Sequence, residues 1–391
     1  MKIRSRIIAW AAALLALLAA GALLALRWQA WFGAASEPAF VLPGGIHRVL
    51  VTSGQDGARE RVVTWVSGDS LVMTFAIDRD TVRVQPVRIE TMGGVTFAYR
   101  SPLLTLSAGA HPYAVSSGRD CFRDTLVIGG SSEEFVFIGD IQDREPGMTR
   151  SFLRSIHERH PGAAAWLFAG DLLERGHDRY WEIFYEAVRD FAPHTPFLPA
   201  AGNHEYAKGI YKELDPRWSA AFPHDAFSPG GYHYYADYPG VRFVVLDTNN
   251  LPLGVAGLEL SLKELFTERP DDPFLVVVMH HGVHSAASGR VNLAERLFLG
   301  PFFAKYGVDL ALQGHDHVYA RRKREPRGGG PLYLTSSASL KSYGVRTNRD
   351  AFEAAADSGR FYTILKVDKE RLEGVTFTEA HLPFDSFTLL K

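Results

Sequence analysis

Beyond Gly129–Ser132 the chain alternates short apolar runs with helical patterns. The runs are Phe135–Ile138, Ala164–Phe168, Phe197–Ala200, Phe243–Leu246, Phe274–Met279, Leu310–Leu312 and Leu332–Thr335. Between them, Thr149–Arg159, Arg179–Phe191 and Leu258–Thr267 carry apolar residues at helical spacing. Strand–helix alternation of this kind specifies an α/β domain whose functional loops lie at the carboxyl ends of its strands. Lys208–Gly240, rich in Pro, Gly and aromatic residues, reads as a long active-site loop.

Five of those strand ends deliver a polar cluster. They are Gly139-Asp140-Ile141-Gln142-Asp143, Gly170-Asp171, Gly202-Asn203-His204-Glu205, His280-His281-Gly282-Val283-His284 and Gly314-His315-Asp316-His317. Singly each is weak: Gly-Asp is commonly a turn, and Asn before His serves equally as a helix cap. Five in one chain order, each directly after an apolar strand, form a site. Carboxylate, amide oxygen and imidazole together suit ions such as Zn, Mn and Fe. A shared Asp lets two ions about 3.5–4 Å apart clamp a phosphoryl group. Cys121 is the only cysteine, so neither an internal disulfide nor a thiolate cluster is available.

Two segments precede this domain. Lys2, Arg4 and Arg6 lead into an apolar run from Ile7 to Leu26, closed by Arg27. Its twenty residues match a bilayer core of about 30 Å and exceed the roughly 7–15 residues of a secretory signal. Trp28, Trp31 and Phe32 follow at interfacial depth. Residues 1–30 are therefore expected to form a transmembrane anchor with the rest outside the cytoplasm. The alternative is a cleaved signal leaving at Gly33, Ala34, Ala35 or Ser36. Residues 37–130 read as short strands (Arg48–Thr52, Arg61–Val66, Leu71–Ile77, Thr81–Ile89, Val95–Tyr99, Pro112–Ser116 and Asp124–Ile128) at the spacing of a small all-β sandwich. Without residues 1–27 the chain holds 38 basic against 44 acidic residues, a formal charge of −6. Such a surface disfavours nucleic acid, whose binding rests on many Lys/Arg–phosphate contacts.

The motif set resembles that of the calcineurin-like metallophosphoesterases. It is most similar to the purple acid phosphatase branch, which carries a fibronectin-like sandwich before its catalytic domain. Val63-Thr64-Trp65-Val66 and Phe243-Val244-Val245-Leu246-Asp247-Thr248 share that likeness. The resemblance implies a four-layer α/β/β/α catalytic domain over residues 131–391. It also implies two divalent or trivalent ions, of Fe, Mn or Zn. Asp140 and His317 would hold the first ion and Asp171 would bridge. Asn203, His280 and His315 would complete the second, and His204 would protonate the leaving group. Two departures stand out. Glu174 occupies the position of the tyrosinate that makes that branch purple, and Gln142 stands where most other members have histidine. Gln142 would coordinate through its amide oxygen or hold a metal-bound water.

His281 and His284 are candidate substrate contacts or structural residues. The run Arg321-Arg322-Lys323-Arg324 is a solvated face or a phosphate contact, and His233, Tyr234 and Tyr235 line the cleft or pack it. Specificity is expected to reside in residues 206–240 and Ser336–Arg346. The reaction implied is hydrolysis of a phosphate ester by a metal-activated hydroxide, with monoesters favoured. The alternatives are a phosphodiesterase on nucleotides or lipid head groups, and a metal-binding scaffold without catalysis.

Overall fold

The computed structural model describes residues 2–32, 36–118, 120–129, 134–207, 213–226, 232–251, 254–267, 269, 272–323, 330–345 and 349–391. Gly33, Ala34, Ala35, Arg324 and Arg346 lie outside the described residues.

Two large sheets face each other. The first follows the order Pro383–Leu390, Arg371–Thr378, Phe361–Val367, Glu134–Ile138, Ala165–Phe168, Pro196–Pro199, His47–Ser53, Glu60–Ser67, Gly94–Arg100 and Val87–Thr91. The second runs Tyr234–Tyr238, Val241–Leu246, Phe274–Met279, Leu310–Gln313, Leu332–Thr335, Tyr319–Arg322 and Phe352–Ala356. The doubly apolar strands have one residue set for each face. Phe135 and Phe137 turn inward, joining Leu167, Phe243, Val276 and Leu312 between the sheets. Val136 and Ile138 turn outward, joining Ile156 and Phe184 of the helices Arg150–Arg159 and Asp178–Val188. On the far side, Val277 and Ala311 pack on Leu262 and Phe302 of Gly254–Phe266 and Gly300–Tyr306. The layers are thus α/β/β/α.

Residues 37–128 enclose a core of their own. A four-stranded sheet (Asp80–Val84, Met73–Ile77, Gly109–Ser116 and Cys121–Ile128) covers Trp65, Phe75, Tyr99, Val115 and Leu126. Trp65 stacks on Tyr99 with ring centroids 5.6 Å apart. The opposing sheet, however, is not separate. His47–Ser53 pairs in parallel with Pro196–Pro199, Val51 opposite Pro196 and Thr52 opposite Phe197, so it continues the first large sheet. Thr81–Ile89, expected as one strand, is two strands in different sheets. The break falls at Gln85-Pro86, where proline has no N–H for either ladder.

A helix spans Lys2–Phe32. Leu14, Leu15, Leu17, Leu18, Leu23 and Leu26 on it are exposed. Among the described residues, no helix is long and apolar enough to cross a membrane.

Candidate metal centre

The five clusters meet where the parallel strands of both sheets end. Asp140, Asp171 and Asn203 follow Glu134–Ile138, Ala165–Phe168 and Pro196–Pro199 of the first sheet. His280, His315 and His317 follow Phe274–Met279 and Leu310–Gln313 of the second. The backbone there is strained. Gln142, Asp171, His315 and His317 have φ of 47°, 50°, 73° and 49°. L-residues adopt that region at a cost of order 1–3 kcal/mol each, and such outliers gather at functional sites. The glycines allow close approach: a Cβ on Gly202 would sit 2.2 Å from Asp171 Oδ1.

His280 is the hub. It is fully buried and its Nδ1 donates to the Ala169 carbonyl at 2.8 Å. That bond fixes the ring and turns Nε2 to the centre, as metal-ligating imidazoles are held. Nε2 lies 3.1 Å from Asn203 Oδ1, 3.3 Å from Asp171 Oδ2 and 2.9 Å from His315 Nδ1. Across the centre, His317 Nε2 is 3.7 Å from Asp140 Oδ1. Ligand atoms of Asp140, Asp171 and His280 all lie within 4.8 Å of one another, as do those of His280, His281 and His315. The structure therefore brings together Asp140, Asp171, Asn203, His280, His315 and His317.

Electrostatics also fit a cation. Burial pushes the Asp140 carboxyl well above the usual carboxylate range. Burial works in the same direction on Asp171, but the imidazoles of His280 and His204 outweigh it and hold that group low. Burial opposes the charged form of His280, yet Asp171 and Asp140 raise it to about 9. Burial lowers His317 to about 3, and its Nδ1 is buried without a hydrogen-bond partner. A positive charge is wanted between the two carboxylates, and metal ions supply it while taking neutral imidazole as ligand.

His204 lies beside these candidate ligands. Its backbone N–H donates to Asp171 Oδ1 at 2.9 Å, and its Nδ1 meets the Glu174 carbonyl at 2.5 Å. Nε2 therefore points inward, 3.9 Å from Asp171 Oδ2. His281 bonds Thr248 Oγ1 at 2.8 Å with its ring 4.5 Å from that of His315, at the rim of the cluster. His284 packs edge-on against Tyr333 at 4.8 Å and is not brought among the ligand atoms. Arg321, from the basic run, pairs with Asp385 at 2.7 Å and serves the sheet. Tyr234 donates to the Pro199 carbonyl and packs between the sheets.

Three supporting groups escaped the sequence reading. Glu205, fully buried, accepts the N–H groups of Asp171, Leu173 and Gly202 at 3.0, 3.0 and 2.7 Å. Asp316 accepts from Ser285 Oγ, the Ala286 N–H and Arg290, so it shapes a loop. Both stood inside motifs, but their role depends on which backbone folds over them. Lys341 had no local signal. Its ammonium reaches Gln142 Oε1 at 2.8 Å and Glu174 Oε2 at 2.6 Å. Gln142 Nε2 in turn lies 2.8 Å from Asp171 Oδ2, so the amide oxygen is turned away from the ligand cluster.

Residues 134–319 match the family model of the calcineurin-like phosphoesterases. Purple acid phosphatase 18 of Arabidopsis thaliana is 25% identical over 51% of this chain and 48% of its own length. Fe(3+)-Zn(2+) purple acid phosphatase 12 of the same plant is 27% identical over 55% of this chain and 52% of its own. The chain thus spans about half the length of these curated relatives. The structure of purple acid phosphatase PPD1 from yellow lupin (Lupinus luteus) shares the fold, with a TM-score of 0.71 and 17% identity over 90% of this chain and 75% of that one. Residues 134–319 thus match the calcineurin-like phosphoesterase family model, and the chain is similar to purple acid phosphatases in sequence and in fold.

Proposed function

We propose that the chain is a dinuclear-metal phosphoesterase acting on phosphomonoesters outside the cytoplasm. One observation carries the reading: six donors of the types that bind Fe, Zn and Mn converge from the carboxyl ends of both sheets. Asp140 and His317 would hold one ion and Asn203, His280 and His315 the other, with Asp171 shared. Bound there, two ions lower the pKa of water towards neutrality and neutralise phosphoryl oxygens.

The chain's own residues do the rest. The Glu174 carbonyl fixes His204 Nδ1 as a donor. Nε2 can then carry a second proton towards the centre and release it to the departing alkoxide, worth about 10²–10⁴-fold. His281, at the rim, is positioned to meet a phosphate oxygen. Glu174 faces Lys341 and Arg144 rather than an ion, so no tyrosinate–iron colour is expected. For the remaining assignments, residues 1–30 would be the anchor, 37–130 a sandwich unit and 131–391 the catalytic unit. The anchor reading rests on the apolar run Ile7–Leu26 of the sequence alone, since no helix among the described residues is long and apolar enough to cross a membrane.

The test is hydrolysis of p-nitrophenyl phosphate and bis-p-nitrophenyl phosphate after chelation and after return of Mn, Zn or Fe. Activity restored by metal and abolished in Asp171→Asn supports the assignment. A higher rate on the diester would move it to the phosphodiesterases. Binding of metal without turnover of either ester would leave a scaffold.

A further inference from the structure

Gln142 has two ways to face an ion, and its neighbours choose between them. An ammonium is a donor only. The Gln142 atom 2.8 Å from Lys341 Nζ is therefore its carbonyl oxygen, and the NH₂ group faces Asp171 Oδ2 at 2.8 Å. Flipping the amide would set NH₂ against ammonium and a carbonyl oxygen against carboxylate. Lys341 cannot easily swing aside. Glu174, itself 8% exposed, holds it at 2.6 Å, and its backbone N–H is tied to Ser339 Oγ at 3.2 Å. Arg144 closes on the other Glu174 oxygen at 3.2 Å.

We propose that Lys341 is a positioning residue that fixes Gln142 as a hydrogen-bond donor to Asp171, so that Gln142 is not a metal ligand. This rests on the dinuclear reading above. The Asp140–His317 position then lacks the ligand that a histidine at 142 would supply and has a fixed cation nearby. It binds its ion more weakly than the Asn203–His280–His315 position, and the two fill in sequence.

The experiment is calorimetric titration of the chelated full chain with Zn²⁺, with bound zinc counted at each plateau. The wild type is expected to show two affinities at least about tenfold apart. Gln142→Ala removes no ligand, so the weaker site stays within about threefold. Lys341→Met frees the amide to turn and removes the cation, so the gap narrows by about tenfold while the tight site is unchanged, an effect of the size seen for groups that orient ligands. Two equal wild-type sites would overturn the proposal, as would a drop beyond about tenfold in Gln142→Ala, or an unchanged gap in Lys341→Met. The Gln142→Ala arm decides even if Lys341→Met does not fold. A wild type that binds no zinc at all defeats the metal-enzyme reading instead.

Discussion

Replacing His204 by alanine separates proton delivery from metal binding, because the residue contributes two different groups. Its backbone N–H, not its side chain, holds Asp171 Oδ1 at 2.9 Å, and that bond survives the substitution. The side chain is 31% exposed, so truncation leaves no sealed cavity and costs at most about 1 kcal/mol of stability. What is lost is an imidazole whose Nε2 faces the centre. Proton transfer to a leaving group is worth about 10²–10⁴-fold, or about 2.7–5.4 kcal/mol of barrier. That cost falls only on substrates whose leaving oxygen needs a proton. The expected result is a loss of about 10²–10⁴ in kcat/KM on an alkyl phosphate, a much smaller loss on p-nitrophenyl phosphate, and unchanged bound metal. Steady-state kinetics on the two esters, with elemental analysis of the dialysed proteins, measure all three. Equal losses on both esters would refute the general-acid role, and a loss of metal would make His204 a ligand.

Other consequences follow from buried polar groups. Arg217 joins Glu37 and Asp178 with side chains 6%, 3% and 1% exposed, so Arg217→Met strands buried carboxylates. It should cost about 3–5 kcal/mol, read as a fall in Tm of about 6–20 °C; a fall under about 3 °C would show that the cluster is not stabilising. Glu205→Gln puts an NH₂ group against one of three backbone N–H donors. It is expected to destabilise by about 1–3 kcal/mol and to weaken metal retention through Asp171, which thermal melts and metal analysis check. Burial lowers His224 to about 3, and the ring lies stacked on Tyr234 at 3.7 Å. Its unfolded value is near 6.5, so its neutral form supports folding above pH 6.5 and that support is lost as pH falls towards 3. At pH 5 the loss is about 2 kcal/mol. His224→Phe should shrink the difference in Tm between pH 7 and pH 5, and an unchanged difference would remove His224 from the acid response.

The candidate ligands were legible because each sits within four residues of the end of an apolar strand. Chain order alone puts Asp140, Asp171, Asn203, His280 and His315 at the carboxyl ends of strands, which the structure divides between two facing sheets. The pairing of Val51 with Pro196 was not legible, since nothing local links strands about 145 residues apart. The split of Thr81–Ile89 follows from Pro86, which has no N–H to give to a ladder. Lys341 lies in a polar loop that carries no pattern, and the orientation of Gln142 depends on it. His284 stood in a motif, yet its contact with Tyr333 is decided by how the loop turns.

The parallel pairing of His47–Ser53 with Pro196–Pro199 has a consequence for how the molecule can be divided. Cutting the chain near residue 130 would tear a continuous ladder rather than release a bead from a string. The C-terminal piece would then present Pro196–Pro199 as a raw margin, with open backbone groups facing water and other copies. Bare margins of this kind recruit foreign strands and invite aggregation. Residues 37–128 thus act as a selvedge for the first large sheet.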